Sequence, residues 1–600
     1  MVAVKIDSFG GMIPAHDDRL LPDKAAALSL NTWLYSGALA GMNAPEAVHT
    51  CVGGSGIARV YRIPNNYVDS QHLGDADWLE FSNPDTDVVR ATVVGDTFER
   101  YYWASTSDQP RYNTRARIKA GNSGGNAAFM LGVPPPSGAP GLSVAGGSSS
   151  ITPTRSYVYT WVSAYGEEGQ PSPAVTVTGK QDGTWNLTFG AAAGGDLGTN
   201  RNLTTMNIYR TVTSSVGVAT FFLVASQSIS TLSYADTLSD TVVSANSQLP
   251  STTWAAPPTD LQGWVTLPNG MIAGWRKNEI WFCEPYRPHA WPAAYTLVVE
   301  FPVVGLGVIG QTLVVCTQGT PAWCYGVHPS VMSLSKIQSF EPCQSRGSIV
   351  SAPDGVYYAS PNGLVRVNYG LAVNITKQLV TKERWQALAP TTTLRAARLG
   401  SAYYGFGSTR QGVFDSGSFD AGSFTQLDFT GAYVGVLIDP TDMRVAFNEL
   451  SNAVPAALVM NDPWSSELFV VRAGVVYWID VSNQNPTYEV YTWRSKIFQS
   501  PEKKNFEALK VFFTVPPTAP ALNPARNTNL VQTLNPANQW GLVRVYADGN
   551  LVTTRELRTS GELMRIASGF RADFWQFEVN AQIKILNIQA ATSAKELAKI

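Results

Sequence analysis

The groups that could do chemistry in this 600-residue chain are five histidines, five cysteines and a few close acidic pairs. The histidines are His16, His49, His72, His289 and His328, and none stands in an HxxxH pair, the spacing that puts two imidazoles on one helical face to hold a metal. His289 and His328 adjoin prolines in turn-like sequence and read as structural. Cys51, Cys283, Cys316, Cys324 and Cys343 are odd in number and form no CxxC. They read as small buried thiols kept reduced. Gly305 to Gly310, GLGVIG, matches GxGxxG literally, but no strand–helix pair with a later acidic residue surrounds it, so it reads as a glycine-rich link between sheets. GxxxxGK[ST] is absent, and no GxSxG nucleophile elbow is read. Glu167 and Glu168 adjoin in a turn, so their carboxylates point apart. Asp415 and Asp420 sit in a self-repeating loop, FDSGSFDAGSF, where a catalytic pair competes with a solvated tip or a weak Ca²⁺ ligand set. No catalytic, cofactor-binding or metal-ligating residue is assigned, no cofactor is expected, and the chain reads as a non-enzyme.

The basic residues Arg494, Lys496, Lys503, Lys504, Arg555, Arg558, Arg565 and Arg571 spread over more than seventy positions near the C-terminus. They suit a solvated face, salt bridges between subunits, or a surface that touches phosphate. Ser482 to Ile600 carries 14 Lys/Arg against 9 Asp/Glu, whereas the whole chain has a net charge of −2. That near-neutrality fits passage of a polyanion better than a grip on it, because each phosphate contact by Lys or Arg adds salt-dependent affinity, and it also fits a protein that never meets DNA. The chain is 15% charged, below the roughly 25% usual for soluble domains, and 11% aromatic, with 17 Trp and 24 Tyr. Such a composition fits a surface spent on protein contacts, and equally a strand-rich fold. MVAVKIDSFGGMIP has no apolar leader core, and no run of 18 apolar residues exists, so neither a signal peptide nor a membrane span is expected. The sequons at Asn186, Asn202 and Asn374 are then chance matches.

The elements that must position these groups are strands. Short alternating runs broken by Gly, Pro, Asn and Asp dominate, and the best helical stretch is the short Thr592 to Ile600. Pro/Gly/Ser-rich stretches at Pro134–Ser150, Pro250–Pro258 and Pro516–Asn527 punctuate the chain. Between the first two, Tyr157, Tyr159, Trp161 and Tyr165 share one face of an alternating strand, and further short strands follow, the pattern of a β-sandwich. YTWVSAYGEEGQPSP, NIYRT and SYADT resemble a fibronectin type III module. Beyond Pro258, hairpin turns near Lys277, Gly319, Asn362 and Thr409 step by 42, 43 and 47 residues, a blade-like period. Turns near Thr441 and Ala473 are less regular, and a similar hairpin surrounds Ser107. The Asp548–Gly549 pair in YADGNLVTT marks another hairpin, and Trp575, Phe577 and Val579 alternate onto one face.

The expected fold is all-β: a β-propeller-like body with an inserted β-sandwich (fibronectin III-like or Ig-like) and a C-terminal β unit. The expected parts are an extended N-terminal segment (1–55), a first part of the propeller (56–133), the insert (134–255), the remainder of the propeller (256–498) and the C-terminal domain (499–600).

Several stretches resemble the tail nozzle, or tail tubular protein B, family of short-tailed bacteriophages. They are LLPDKAAALSLNTWLYSGALAGMNAP, NEIWFCEPYRPHAWP, PCQSRGSIVSAPDGVYYASPNGLVRV, VYTWRSKIF and LRTSGELMRIASGFRADFWQFEVNAQIKILNIQAATSAKELAK. The resemblance implies a structural component of the virion tail, made in the host bacterial cytoplasm. It implies six copies in a ring below the tail adaptor protein, a central channel for double-stranded DNA, and tail fibre or spike proteins at the lower end. The chain is shorter than the best-known nozzles and carries the sandwich insert, which leaves a gate and a different tail position open. A receptor-binding or glycan-processing tail tip is the alternative, motivated by the insert and by the stacking of sugars on Trp and Tyr.

Overall fold

The computed structural model describes residues 3–34, 37–65, 76–121, 127–198, 200–213, 219–388, 392–408, 433–439, 444–449, 458–479, 488–514 and 539–599. The chain is all-β, built of many small sheets that are almost wholly antiparallel. Among the described residues the α-helices are one or two turns long, at Arg115–Lys119, Asp240–Ser244, Lys382–Leu388 and Ala594–Leu597. Two compact units organise the chain. One comprises Met1–Ala76, Glu80–Ser82 and Gln338–Ile600, and the other Asp77–Leu79 and Asn83–Ile337.

In the unit around Asn83–Ile337, the insert consists of two sheets over one core. A three-stranded sheet joins Gly141–Ala145, Thr184–Thr188 and Ser233–Asp236. A four-stranded sheet orders Val175–Thr178, Thr154–Ser163, Leu203–Thr213 and Ala219–Ser228. Tyr157, Tyr159, Trp161, Trp185, Leu187 and Ile208 fill the space between them. The aromatic face read from the sequence is thus buried, but the alternate residues Val158, Thr160 and Val162 are buried too. Tyr165, expected on that same face, lies beyond the strand's end at Ser163. It packs instead against Tyr112 and Phe129 of a separate core and against the exposed Phe98.

Two four-stranded meanders follow in the same unit. The first runs Gln262–Leu267, Met271–Arg276, Glu279–Phe282 and Thr296–Val298. The second runs Val303–Ile309, Thr312–Thr317, Ala322–Tyr325 and Ser333–Lys336. Lys277 sits in the turn between Met271–Arg276 and Glu279–Phe282, at φ 51°. The GLGVIG string lies in the strand Val303–Ile309 and its turn and is not a link: Gly305 and Gly307 pair with Cys316 and Val314, and only Gly310 takes a positive φ, of 56°.

In the unit around Gln338–Ile600, a third meander has the same order: Val350–Ala352, Gly355–Ser360, Gly363–Asn368 and Leu371–Asn374. The segment 1–55, expected to be an extended arm, supplies strands to sheets built mainly from the far end of the chain. Ala3–Ile6 pairs antiparallel with Lys584–Ala591, Ala26–Leu30 with Tyr491–Ser495, and Glu46–Thr50 with Val475–Ile479. Trp575, Phe577 and Val579, read as one face, are all fully buried in this unit's main core beside Trp493. The Asp548–Gly549 hairpin has both residues at positive φ, 47° and 81°, the geometry of a type I′ turn, which only Gly, Asn and Asp adopt readily. The turns near Thr409 and Thr441 and the stretch Pro516–Asn527 lie outside the described residues.

Candidate functional site

Among the described residues that sequence reading weighed for chemistry, His49 and Cys51 come together, and the acidic pair Glu167 and Glu168 forms no joint site. Glu167 and Glu168 do point apart, and both are buried rather than solvated. Glu167 accepts a hydrogen bond from Arg100 Nη1 at 2.7 Å and lies 3.4 Å from the Tyr102 hydroxyl. Burial pushes its carboxyl up even though Arg100 pulls the other way. Glu168 accepts from the Tyr209 hydroxyl at 2.8 Å, from the Thr160 hydroxyl and from Asn207. These two buried carboxylates cross-link strands. Asp415 and Asp420 lie outside the described residues.

Of the basic residues near the C-terminus, Arg494 binds Glu578, Lys496 binds Asp23 at 2.9 Å, and Arg558 binds Glu556 at 3.1 Å. Arg555 donates to the Arg565 carbonyl at 3.0 Å. With Lys503 3.9 Å from Asp573, four of these eight charges stand beside carboxylates of the same chain. An open polar cavity of about 390 Å³ is bordered by Ser105, Ser107, Asp108, Thr259, Asp260 and Gln262. Its aspartates are tied to Arg111 and Arg276, and its lining holds no aromatic ring on which a sugar could stack.

His289 is buried, with an Nε2 that has no hydrogen-bond partner, and it packs edge-on against Trp254. Burial, with Arg287 and Arg100 nearby, lowers its pKa to about 3. The folded chain thus leaves this ring neutral, whereas the unfolded chain protonates it below about pH 6.5. The ring's contribution to stability is complete above that value and is lost as pH falls towards 3. Glu167, with a raised pKa, works in the opposite sense. The measurement is therefore the difference between the wild-type chain and His289→Gln in urea unfolding. Wild-type stability should fall by a few kcal/mol more than the variant's between pH 7 and pH 4. Parallel curves would refute the assignment.

One grouping escaped the sequence reading. His49, on the strand Glu46–Thr50, Cys51 just beyond it, and Glu80, on the strand Ala76–Phe81, present one donor atom each within 4.8 Å of one another. His49 Nε2 lies 2.9 Å from Glu80 Oε1. The backbone N–H groups of Val52 and Gly53 each donate to the Glu80 carboxylate at 3.0 Å. Burial opposes ionisation of Glu80, but Gly53, His49 and Val52 together outweigh it and hold this carboxyl below its usual range. Burial, and then the Glu80 charge, push the Cys51 thiol up to about 11. The local signal was His-x-Cys at a strand end, since residues two apart on a strand share a face. The third member lies 29 residues further on, where no spacing rule reaches it.

No protein-family model and no curated protein sequence matches the chain. Among solved structures, Kluyvelomyces marxianus Hsv2 is similar at 11% identity, over 56% of this chain and 91% of that one, with a TM-score of 0.23. PorZ, a surface component of the type-IX secretion system of Porphyromonas gingivalis, is similar at 11% identity, over 66% of this chain and 57% of that one, with a TM-score of 0.17. At these TM-scores neither likeness carries an argument.

Proposed function

We propose that this chain is a structural subunit of a bacteriophage tail: the nozzle ring that extends the DNA ejection channel below the adaptor and holds tail fibres or spikes. In this reading six copies form the ring, each with a β-propeller-like body, a fibronectin III-like insert and a C-terminal β unit. The observation that carries the reading is the run of three consecutive four-stranded meanders, Gln262–Val298, Val303–Lys336 and Val350–Asn374, with the same strand order. Each is the size and topology of a propeller blade. The pairing of C-terminal basic residues with carboxylates of the same chain supports the passage of DNA without a grip on its phosphates.

An edge strand supports assembly. Leu371–Asn374 ends its sheet, and Tyr369, Leu371 and Val373 are 80%, 69% and 48% exposed. An uncharged apolar row on a sheet edge invites pairing with another chain. Ring-forming contacts are heterologous, so one such edge per copy can be used throughout a closed ring.

Native mass spectrometry and electron microscopy of the purified protein and of particles are the test. Six copies per ring are expected, and Leu371→Asp should shift the population to monomers without altering the unfolding midpoint. A wild-type chain that stays monomeric at high concentration and is missing from particles would refute the reading.

A further inference from the structure

The geometry at the end of the strand Glu46–Thr50 points to a metal site: we propose that His49 Nε2, Cys51 Sγ and a Glu80 carboxylate oxygen bind one zinc-like divalent cation, with a solvent molecule completing four-coordination. The three donor atoms already lie within 4.8 Å of one another. A tetrahedral ion with bonds of about 2.0 to 2.3 Å needs its ligand atoms about 3.3 to 3.7 Å apart, so the 2.9 Å His49–Glu80 separation has to open only slightly. Cys51, one residue past the end of the strand that carries His49, brings its thiol to the same place.

The surroundings are built to hold these ligands. Cys51 N–H donates to the Gly474 carbonyl at 2.7 Å, and Gly54 N–H donates to the Cys51 carbonyl at 3.1 Å. Gly474 has φ +78°, and a Cβ there would lie 2.4 Å from the Gly54 backbone, so the two turns can approach this closely only with glycine. Val52 and Gly53 orient the Glu80 carboxylate through their N–H groups while its oxygens keep lone pairs for an ion. Hydrogen bonds that aim a ligand in this way commonly accompany metal ligation. The His49 and Glu80 side chains are 20% and 14% exposed, which lets an ion enter and leaves room for a water ligand.

The donor set selects the ion. One nitrogen, one sulfur and one oxygen suit zinc and its borderline-soft neighbours, whereas calcium and magnesium take oxygen ligands and would find one carboxylate. On binding, the thiol proton of Cys51 leaves to solvent, a Zn–S bond forms, and the imidazole carries its proton on Nδ1 so that Nε2 can ligate. The ion would tie the turn 49–54 to the strand that carries Glu80. With three protein ligands and one solvent position, the site belongs to the class that leaves a coordination place open.

Cobalt(II) is the probe. The purified full-length chain should bind one equivalent, with the enhanced visible bands of a four-coordinate ion and a thiolate-to-cobalt charge-transfer band in the near ultraviolet, and zinc should abolish both. Cys51→Ser should lose the charge-transfer band, while His49→Ala and Glu80→Gln should weaken binding at least tenfold. Cys343→Ser, which alters a buried thiol elsewhere, should leave the spectrum unchanged. Binding without a thiolate band, or a spectrum that survives Cys51→Ser, would overturn the proposal. Should Cys51→Ser fail to fold, the wild-type chain decides. Zinc should slow alkylation of Cys51 at least tenfold, read by peptide mass spectrometry, and magnesium should not. Equal rates with the two ions would refute the site.

Discussion

Asp236→Ala should cost the full-length chain about 3–5 kcal/mol of unfolding free energy, because it removes one partner from a buried charge network. Asp236 is fully buried, and its Oδ2 accepts hydrogen bonds from Arg210 Nη1 at 2.5 Å and from the Tyr157 hydroxyl at 2.7 Å. Its Oδ1 accepts from Leu238 N–H at 2.9 Å. Arg210 also reaches Asp240 at 2.8 Å, and Asp240 receives Arg155, whose guanidinium lies 4.8 Å from the Trp185 ring. Two buried arginines are thus balanced by two aspartates across the strands of the insert. Deleting Asp236 leaves Arg210 in an apolar core with half its compensation. Removing both charges together, as Asp236→Leu with Arg210→Met, should be much milder, since no ion then remains uncompensated. Urea unfolding gives the cost, and hydrogen exchange should place it in the strands Thr154–Ser163 and Leu203–Thr213. A single-variant cost below about 1 kcal/mol would mean that the network is not what holds this core together.

Trp493→Ala should be comparably severe, at about 3–5 kcal/mol, and its damage should appear at the opposite end of the chain. Trp493 is fully buried, its indole N–H donates to the Gly10 carbonyl at 3.1 Å, and Phe9 stands edge-on to its ring at 5.0 Å between centroids. Its strand pairs with Ala26–Leu30 on one side and with Ala572–Ala581 on the other. The indole therefore pins the N-terminal segment to the core of the C-terminal strands. In the alanine variant, limited proteolysis should cut within residues 3–34 well before it cuts elsewhere. Trp493→Phe keeps most of the packing and loses the hydrogen bond, so a cost of roughly 1–2 kcal/mol is expected. Early cleavage at some other region would show that the N-terminal strands are held by their backbone pairing and not by this side chain.

Much of the local structure was legible because strands and turns report themselves over short distances. The alternation of Tyr157, Tyr159 and Trp161 marked a buried face, and Asp548–Gly549 marked a hairpin whose backbone needs positive φ at both positions. Alternation failed at Tyr165, since a strand that stops at Ser163 no longer dictates where the next side chain turns. It failed again at GLGVIG, where glycines in a paired strand look the same in sequence as glycines in a link. Glu167 and Glu168 were rightly set pointing apart. That both would be buried against partners from other strands was not visible, because Arg100 and Tyr209 lie 67 and 41 residues away.

By itself the sequence determined the secondary-structure class, the positions of the hairpins, the near-zero charge and the core-facing side of individual strands. The charge is a matter of composition, and the rest follow from a period of two residues or from the φ a turn requires. Only the tertiary structure decided that Ala3–Ile6 lies beside Lys584–Ala591, that Arg210 finds two aspartates, and that His49, Cys51 and Glu80 converge. Pairings between distant strands depend on which sheet edges and buried charges remain to be satisfied once local structure has formed, and that choice leaves no periodic trace along the chain.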